Sequence, residues 1–332
     1  MTELTQGVPN GVVDESGHPR FGAYRGAFDA VRWEGLAAPW KVGVLARMAR
    51  AKKWQYASIA NDRVLVACCI VRLGYASNAF VYVFDRHERR FGADLAWTGE
   101  PGAAKVSDRP RGGATFRTRK VEVDLGPDAV GEGWRVKVRA AGVAIDAHLE
   151  GSGAPTGLCA VTDLGAGRVN ATHKSVGLVA VGEARVDGRR WDLAGSAALD
   201  HTSGLLHRET RWKWASATGP GFGLNIVSGF NGPVENIAWI GERLWSLGPI
   251  SVDYDGGDPM RTWHFRSASG AAVEVDLRFE PEGARRANTN LLIAKSIYVQ
   301  PIGAFYGVIR TPEGVHTVDG VPGVTEDHVA LW

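Results

Sequence analysis

The sequence predicts an all-β protein made of two antiparallel β-barrel-like or sandwich units with few short helices. Glycine (43) and tryptophan (12) are abundant, and short apolar–polar alternations bounded by turn residues recur along the chain. With 332 residues, 45% of them apolar and 22% charged, the chain is long enough for two packed cores. Helix is expected in less than about one fifth of the residues.

The elements follow in chain order. From Pro39, the residues Trp40, Val44, Leu45 and Met48 fall at helical spacing, while Lys41, Arg47, Arg50, Lys52 and Lys53 line the remainder. This basic amphipathic helix is read as a solvated cover over a barrel mouth, with contact to an anionic membrane surface left open as the alternative. Val64 to Val71 has no polar face, so as a strand it must be covered on both sides, by barrel contents or by a second layer. Val121, Val123 and Leu125 alternate with Lys120, Glu122 and Asp124, and Trp134, Val136 and Val138 alternate with Arg135, Lys137 and Arg139. These are half-buried strands.

Gly151-Ser152-Gly153-Ala154-Pro155 and Gly165-Ala166-Gly167 bracket the expected connection, giving an N-terminal unit of residues 1–165 and a C-terminal unit of residues 166–332. His173-Lys174 precedes the largely apolar run Val176 to Val186, and so stands at a strand entrance on a cavity rim. Val273, Val275, Leu277 and Phe279 alternate with Glu274, Asp276 and Arg278 between Ser269-Gly270 and Pro281-Glu282-Gly283. Closing a sheet removes its edges, and about eight strands leave a barrel just wide enough for a small ligand.

Composition narrows the function. A net charge of +2 without a dense basic stripe argues against a nucleic-acid partner. The first residues lack a charged-then-apolar leader, and Val64 to Val71 is far short of the roughly 20 apolar residues of a membrane span, so a soluble cytoplasmic protein is expected. Cys68, Cys69 and Cys159 form no disulfide framework and are read as reduced core residues. There is no Gly-x-Ser-x-Gly elbow, no phosphate loop and no His-Glu-x-x-His helix. Gly219-Pro220-Gly221-Phe222-Gly223 joins two strand-like segments and is read as a hairpin turn, not a dinucleotide fingerprint. His207 and Glu209 share a strand face, yet nothing in the spacing demands a metal. No metal and no cofactor are expected; the partner expected is a hydrophobic small molecule.

The densest chemistry is Asp200-His201-Thr202-Ser203-Gly204 followed by Arg208-Glu209-Thr210-Arg211-Trp212-Lys213-Trp214. On a strand, Arg208, Thr210, Trp212 and Trp214 share one face and Glu209, Arg211 and Lys213 the other. The first face is an aromatic wall with a cation at its mouth.

Read whole, the second half carries Thr172-His173-Lys174, Leu199 to Gly204, Arg211 to Ala217, Gly223-Leu224-Asn225, Glu235-Asn236, Tyr298 to Gly303 and Gly323 to His328. With Lys53-Trp54-Gln55-Tyr56 and Gly74-Tyr75 in the first half, these segments resemble an uncharacterised bacterial domain family of unknown function (DUF2804-like), distantly similar to the lipocalin-like carotenoid 1,2-hydratases and tocopherol cyclases. The resemblance covers most of the chain. It implies two tandem lipocalin-like (calycin-type) β-barrel domains with a ligand cavity at or near their junction. The distant relatives protonate or cyclise apolar polyenes without an organic cofactor, but fold kinship does not transfer a reaction.

Hydrating or cyclising an alkene needs an acid able to protonate carbon, a wall that stabilises the cation, and control over water. Asp200 is the first candidate acid, since burial disfavours a carboxylate, and Glu235 is its rival. His201 orients Asp200 or takes the proton back, and Arg211 belongs to the same titratable cluster. Trp212 and Trp214 stabilise the cation through their π faces, with Arg208 beside them. Tyr298 and Gln300 position water or a substrate oxygen, and Asn225, Asn236 and His173 complete the candidate binding set. Glu326-Asp327-His328 holds acid–base atom types but also suits the decoration of a final strand. Two function classes remain: a cofactor-independent acid/base enzyme (hydratase, isomerase or cyclase) and a non-catalytic lipid or isoprenoid carrier. They differ in the number of ionisable groups facing the cavity, because an unpaired buried charge is costly.

Overall fold

The computed structural model describes residues 3–128, 133–290 and 295–332, apart from the side chains of 289 and 290. Strand makes up 63% of the chain and helix 3%, well under the fifth expected. Among the described residues there are two antiparallel sheets, one of 14 strands within residues 22–205 and one of nine within residues 209–331. One curls into a nearly closed barrel and the other into a half-barrel.

The first sheet runs from the edge strand Arg90–Gly99 through Ser77–Asp85, Val64–Arg72 and Ala51–Ala60. It then crosses to Gly195–Leu205 and continues through Arg168–Val186, Val143–Glu150 and Trp134–Ala140 towards the edge strand Ala104–Val106. The second is centred on Glu209–Gly219, Gly314–Leu331, Lys295–Thr311 and Glu274–Asn290. The expected division at 165/166 falls inside the first sheet, because Leu158–Gly165 and Arg168–Val186 are hairpin partners across the 166–167 turn. The chain changes sheet at residues 206–208. Glycine-rich turns mark hairpins as readily as domain boundaries, which is why composition alone pointed to the earlier position.

The alternations read from the sequence are realised. Val123, Leu125, Val136 and Val138 are buried on the first sheet's inner face, and Val273, Val275, Leu277 and Phe279 on the second's. Val64–Arg72 explains its missing polar face: Val64, Val66, Cys68 and Ile70 point into the first core, while Leu65, Ala67 and Cys69 pack against the second sheet. All three cysteines are free and buried. The Pro220-Gly221 turn joins Gly219 to Phe222 as a hairpin, with Gly221 at φ 66°.

Both concave interiors are filled. Phe116, Trp134, Val66, Val81 and Ile145 occupy the first, and Trp263, Phe265, Phe279 and Phe305 the second. Neither interior is therefore open to a ligand, and the cavity that the family resemblance implies at or near the junction of the two units must be sought there. The sheets meet instead through their outer faces. Arg86 pairs with Glu282 at 2.7 Å and Arg285 with Asp94 at 2.8 Å across the seam. Glycine permits this close approach, since a Cβ at Gly223 would strike Val176 and one at Gly283 would strike Phe84.

The one α-helix among the described residues, Val44–Arg50, is shorter than expected and turns its apolar residues outward. It buries none of its side chains, whereas Lys52, just beyond its end, is 1% exposed and donates from Nζ to the Ala49 carbonyl at 2.6 Å. A buried ammonium there meets the negative end of the helix dipole.

Candidate functional site

A cavity lies in the seam between the sheets. Trp54, Tyr56, Phe80, Lys174 and Asp200 wall it from the first sheet, and Trp212, Trp214, Tyr298, Glu326 and His328 from the second; the short 3-10 helix Gly232–Glu235 adds Glu235. The cavity volume is about 130 Å³, on the scale of a space that admits a benzene-sized group.

Register sets the composition of each wall. In the first sheet Asp200 is paired with Lys174 on one side and Tyr56 on the other, so an ammonium, a carboxylate and a phenol stand in one row. In the second, His328 is paired with Trp212 and with Tyr298, and Glu326 with Trp214. Side chains alternate along each strand, so all these groups emerge on the seam side.

The charged centre is Asp200–Lys174–Glu235. Lys174 Nζ donates to Asp200 Oδ2 and lies 3.3 Å from Glu235 Oε2. All three side chains are at least nine-tenths buried. Asp200 Oδ1 also accepts from the Thr172 and Thr202 hydroxyls at 3.4 and 3.3 Å, and Glu235 Oε1 accepts from Asn231 Nδ2. Burial pulls the Lys174 ammonium down, but the two carboxylates outweigh it and hold its pKa above the ordinary value. Burial pushes Glu235 up, Lys174 opposes this, and Asp200 reinforces it, so Glu235 keeps its proton to a higher pH than a free glutamic acid.

A second polar group faces it. Glu326 accepts from Trp212 Nε1 at 2.8 Å and from Gln300 Nε2 at 2.9 Å, and Gln300 Oε1 accepts from the Tyr82 hydroxyl at 2.8 Å. Aromatic faces line the space between. Lys174 Nζ lies 5.6 Å from the Trp214 ring centroid, Tyr56 meets Trp214 edge-on at 5.5 Å, and His328 lies 4.3 Å from Trp212. Burial holds the Tyr56 and Tyr298 phenols well above their ordinary pKa, so both are neutral hydroxyls.

Of the residues singled out in the sequence, Asp200, Glu235, Trp212, Trp214, Tyr298 and Gln300 line this cavity, as do Glu326 and His328 of the Glu326-Asp327-His328 segment. His201 and His173 do not, because each is one residue out of phase with Asp200 and Lys174 and projects through the opposite side of the sheet. His201 Nε2 meets the Ser107 carbonyl at 2.9 Å, and burial depresses both imidazoles, His173 to about 3. Arg211 is likewise on the wrong face, exposed and paired with Glu209 at 2.6 Å. Arg208 precedes the strand, which begins at Glu209, so strand parity does not reach it; its Nη1 donates to the Trp332 carbonyl at 3.1 Å. Asn225 stands behind the wall, accepting from Trp214 Nε1 at 2.9 Å and donating to the Glu235 carbonyl at 2.8 Å. Asn236 is held by the Val227 amide and the Gly248 carbonyl. Lys174 was noted only as half of a dipeptide, Tyr56 only within the Lys53-Trp54-Gln55-Tyr56 segment of the family resemblance, and Asn231 carried no signal of its own. Counting parity back from Asp200 through the paired strand would have found Lys174.

Fold and cavity together define a class: a two-sheet β protein with a ligand-sized, aromatic-walled and charged cavity at the sheet junction. The chain belongs to the family described as Domain of unknown function (DUF2804), whose model matches residues 1–332. No curated protein matches it significantly. Among solved structures, a candidate AttH from Nitrosomonas europaea is similar at 14% identity and TM-score 0.52, over 89% of this chain and 96% of that one. Kievitone hydratase from Nectria haematococca is similar at 11% identity and TM-score 0.52, over 89% and 94%. CghA, solved with Sch210972, is similar at 11% identity and TM-score 0.51, over 99% and 98%. At such identities the likeness is one of fold. No helix among the described residues is long and apolar enough to cross a membrane.

Proposed function

We propose that this protein is a cofactor-independent acid/base enzyme that protonates a hydrophobic, isoprenoid- or lipid-like small molecule, leading to hydration, isomerisation or cyclisation. The observation that carries this reading is the buried Asp200–Lys174–Glu235 cluster opening onto an aromatic cavity. A carrier for apolar ligands gains nothing from this cluster, because burying three ionisable groups is costly wherever no chemistry uses them. That one solved structure of the same fold is named a hydratase agrees with the reading.

Glu235, rather than Asp200, is the acid in this scheme. Its pKa is raised, while Asp200 is the tighter partner of Lys174 and accepts two further hydroxyls. The Glu235 proton forms a bond to an alkene carbon with the electron pair of the double bond, leaving a cation on the neighbouring carbon. The Trp212 and Trp214 faces stabilise that cation. Water then adds to it, or an internal nucleophile closes a ring, and the proton released returns to the Glu235 carboxylate. Lys174 keeps both carboxylates in place throughout. The buried Tyr298 hydroxyl on the cavity wall is placed to hold a substrate oxygen.

The test is incubation of the purified protein in D2O with a panel of polyenes and prenylated phenols, followed by mass spectrometry. Deuterium gained at carbon, or a gain of water, supports the proposal, and Glu235→Gln should abolish it. Tight binding of a panel member with no deuterium gain at any pH would leave the carrier.

A further inference from the structure

The helix Val44–Arg50 inverts the usual arrangement of a surface helix. Val44, Leu45 and Met48 are 76%, 83% and 57% exposed, while Lys52, just past the helix, is buried. Scattered exposed apolar residues are ordinary, but three on one short helix beside a buried ammonium are not. Basic groups surround them. Lys41 is exposed, Arg50 ends the helix, and Arg168 lies close enough to feel its charge, while Arg47 is tied to the Glu34 carboxylate at 3.0 Å.

The patch is joined to the cavity wall through the 206–208 linker. The Arg50 carbonyl accepts from the Leu206 amide at 2.9 Å, at the start of the 206–208 linker. Arg208, ending that linker, is bonded to the Trp332 carbonyl, and Trp332 lines the cavity. Tyr75, 41% exposed, flanks it and packs over Lys52, 5.2 Å from its Nζ.

We propose that this helix docks the protein on an anionic membrane surface, with Val44, Leu45 and Met48 entering the headgroup boundary and Lys41 and Arg50 meeting anionic lipid. Exposed apolar residues with cations beside them suit such a surface, where basic residues are attracted to anionic headgroups and shallow apolar burial adds to the attraction. The inference stands whether or not the cavity is catalytic.

Co-sedimentation of the full chain with vesicles tests it without any substrate. Binding is expected to vesicles of phosphatidylcholine mixed with phosphatidylglycerol, with little to phosphatidylcholine alone, and to weaken as salt is raised. Leu45→Asp with Met48→Asp, and separately Lys41→Glu with Arg50→Glu, should each lower the partition coefficient by about tenfold or more. These side chains lie at the surface, so unchanged thermal melts would show that both variants are folded. Equal binding to both vesicle types, or to neither, would overturn the proposal. So would a concentration-dependent dimer that Leu45→Asp dissolves, since the face would then belong to a second copy.

Discussion

The interior of the first sheet and the seam between the sheets are walled by the same strands, yet they have opposite characters. From Gly195–Leu205, Ala197 and Leu199 enter the packed interior while Asp200 and Thr202 enter the cavity. From Ala51–Ala60, Ala57 and Ile59 go inward and Tyr56 outward. One face is dry and filled, and contributes stability through apolar burial and close packing. The other keeps carboxylates, an ammonium and hydroxyls at a cost in stability, which is where chemistry is to be sought.

The largest effect expected is on turnover. Glu235→Gln should lower it by about a hundredfold to ten-thousandfold while leaving the fold and ligand binding intact, because the amide keeps the shape but delivers no proton. Activity carried by the acid form falls as pH rises through the raised Glu235 pKa, and a pH–rate profile should show that limb disappear in the variant. Full activity in folded Glu235→Gln would return the acid role to Asp200.

Lys174→Met breaks the seam's charge balance without touching the packed interior. It leaves two buried carboxylates uncompensated and should cost about 3–5 kcal/mol at neutral pH. Glu235, already raised by burial, loses the ammonium that opposes the rise, so stability is greatest at acid pH and is lost as pH rises. Urea melts should therefore show a smaller deficit near about pH 4 than near about pH 7.5. A deficit independent of pH would mean that the loss is one of packing.

Phe116→Ala makes the converse cut. It empties part of the first interior and should cost about 3–5 kcal/mol with no change in cavity-ligand affinity per folded molecule. Altered affinity would show that the two faces are coupled.

His173 belongs to the buried interior side, and its pKa is depressed from 6.5 to about 3, chiefly by burial. A depressed histidine contributes stability above its unfolded pKa that is lost as pH falls towards its folded one. Wild-type stability should thus decline between pH 6.5 and about 3, and His173→Gln should flatten that slope. An identical slope in the variant would assign the acid sensitivity elsewhere.

The smallest effect is at the cavity wall. Trp212→Phe removes the 2.8 Å bond to Glu326 and should cost about 1 kcal/mol, read as a small drop in Tm. A drop as large as that of Phe116→Ala would erase the distinction between wall and core.

The strands at 121–125, 134–138 and 273–279 were legible because a strand with one buried face must alternate apolar and polar residues. The two-sided burial of Val64–Arg72 was legible for the same reason, since it lacks the polar phase. Two tryptophans and two acids of the cavity could also be read, because clustered titratable and aromatic residues are rare on plain strands. Three of the departures share one cause. His201, Arg211 and His173 neighbour true wall residues in sequence, but a shift of one position along a strand moves a side chain to the opposite face.

What the sequence determined by itself is thus local: strand periodicity, turn positions, and the acid-rich, tryptophan-rich segments from which a site is built. Tertiary structure alone decided that 168–205 joins the first sheet, that both interiors are filled, and that Lys174 stands between Asp200 and Glu235. It also decided that the one α-helix among the described residues turns its apolar side outward. The physical reason is that alternation specifies two faces for every strand but does not name what either face meets; pairing register between strands distant in sequence and the docking of the sheets supply that.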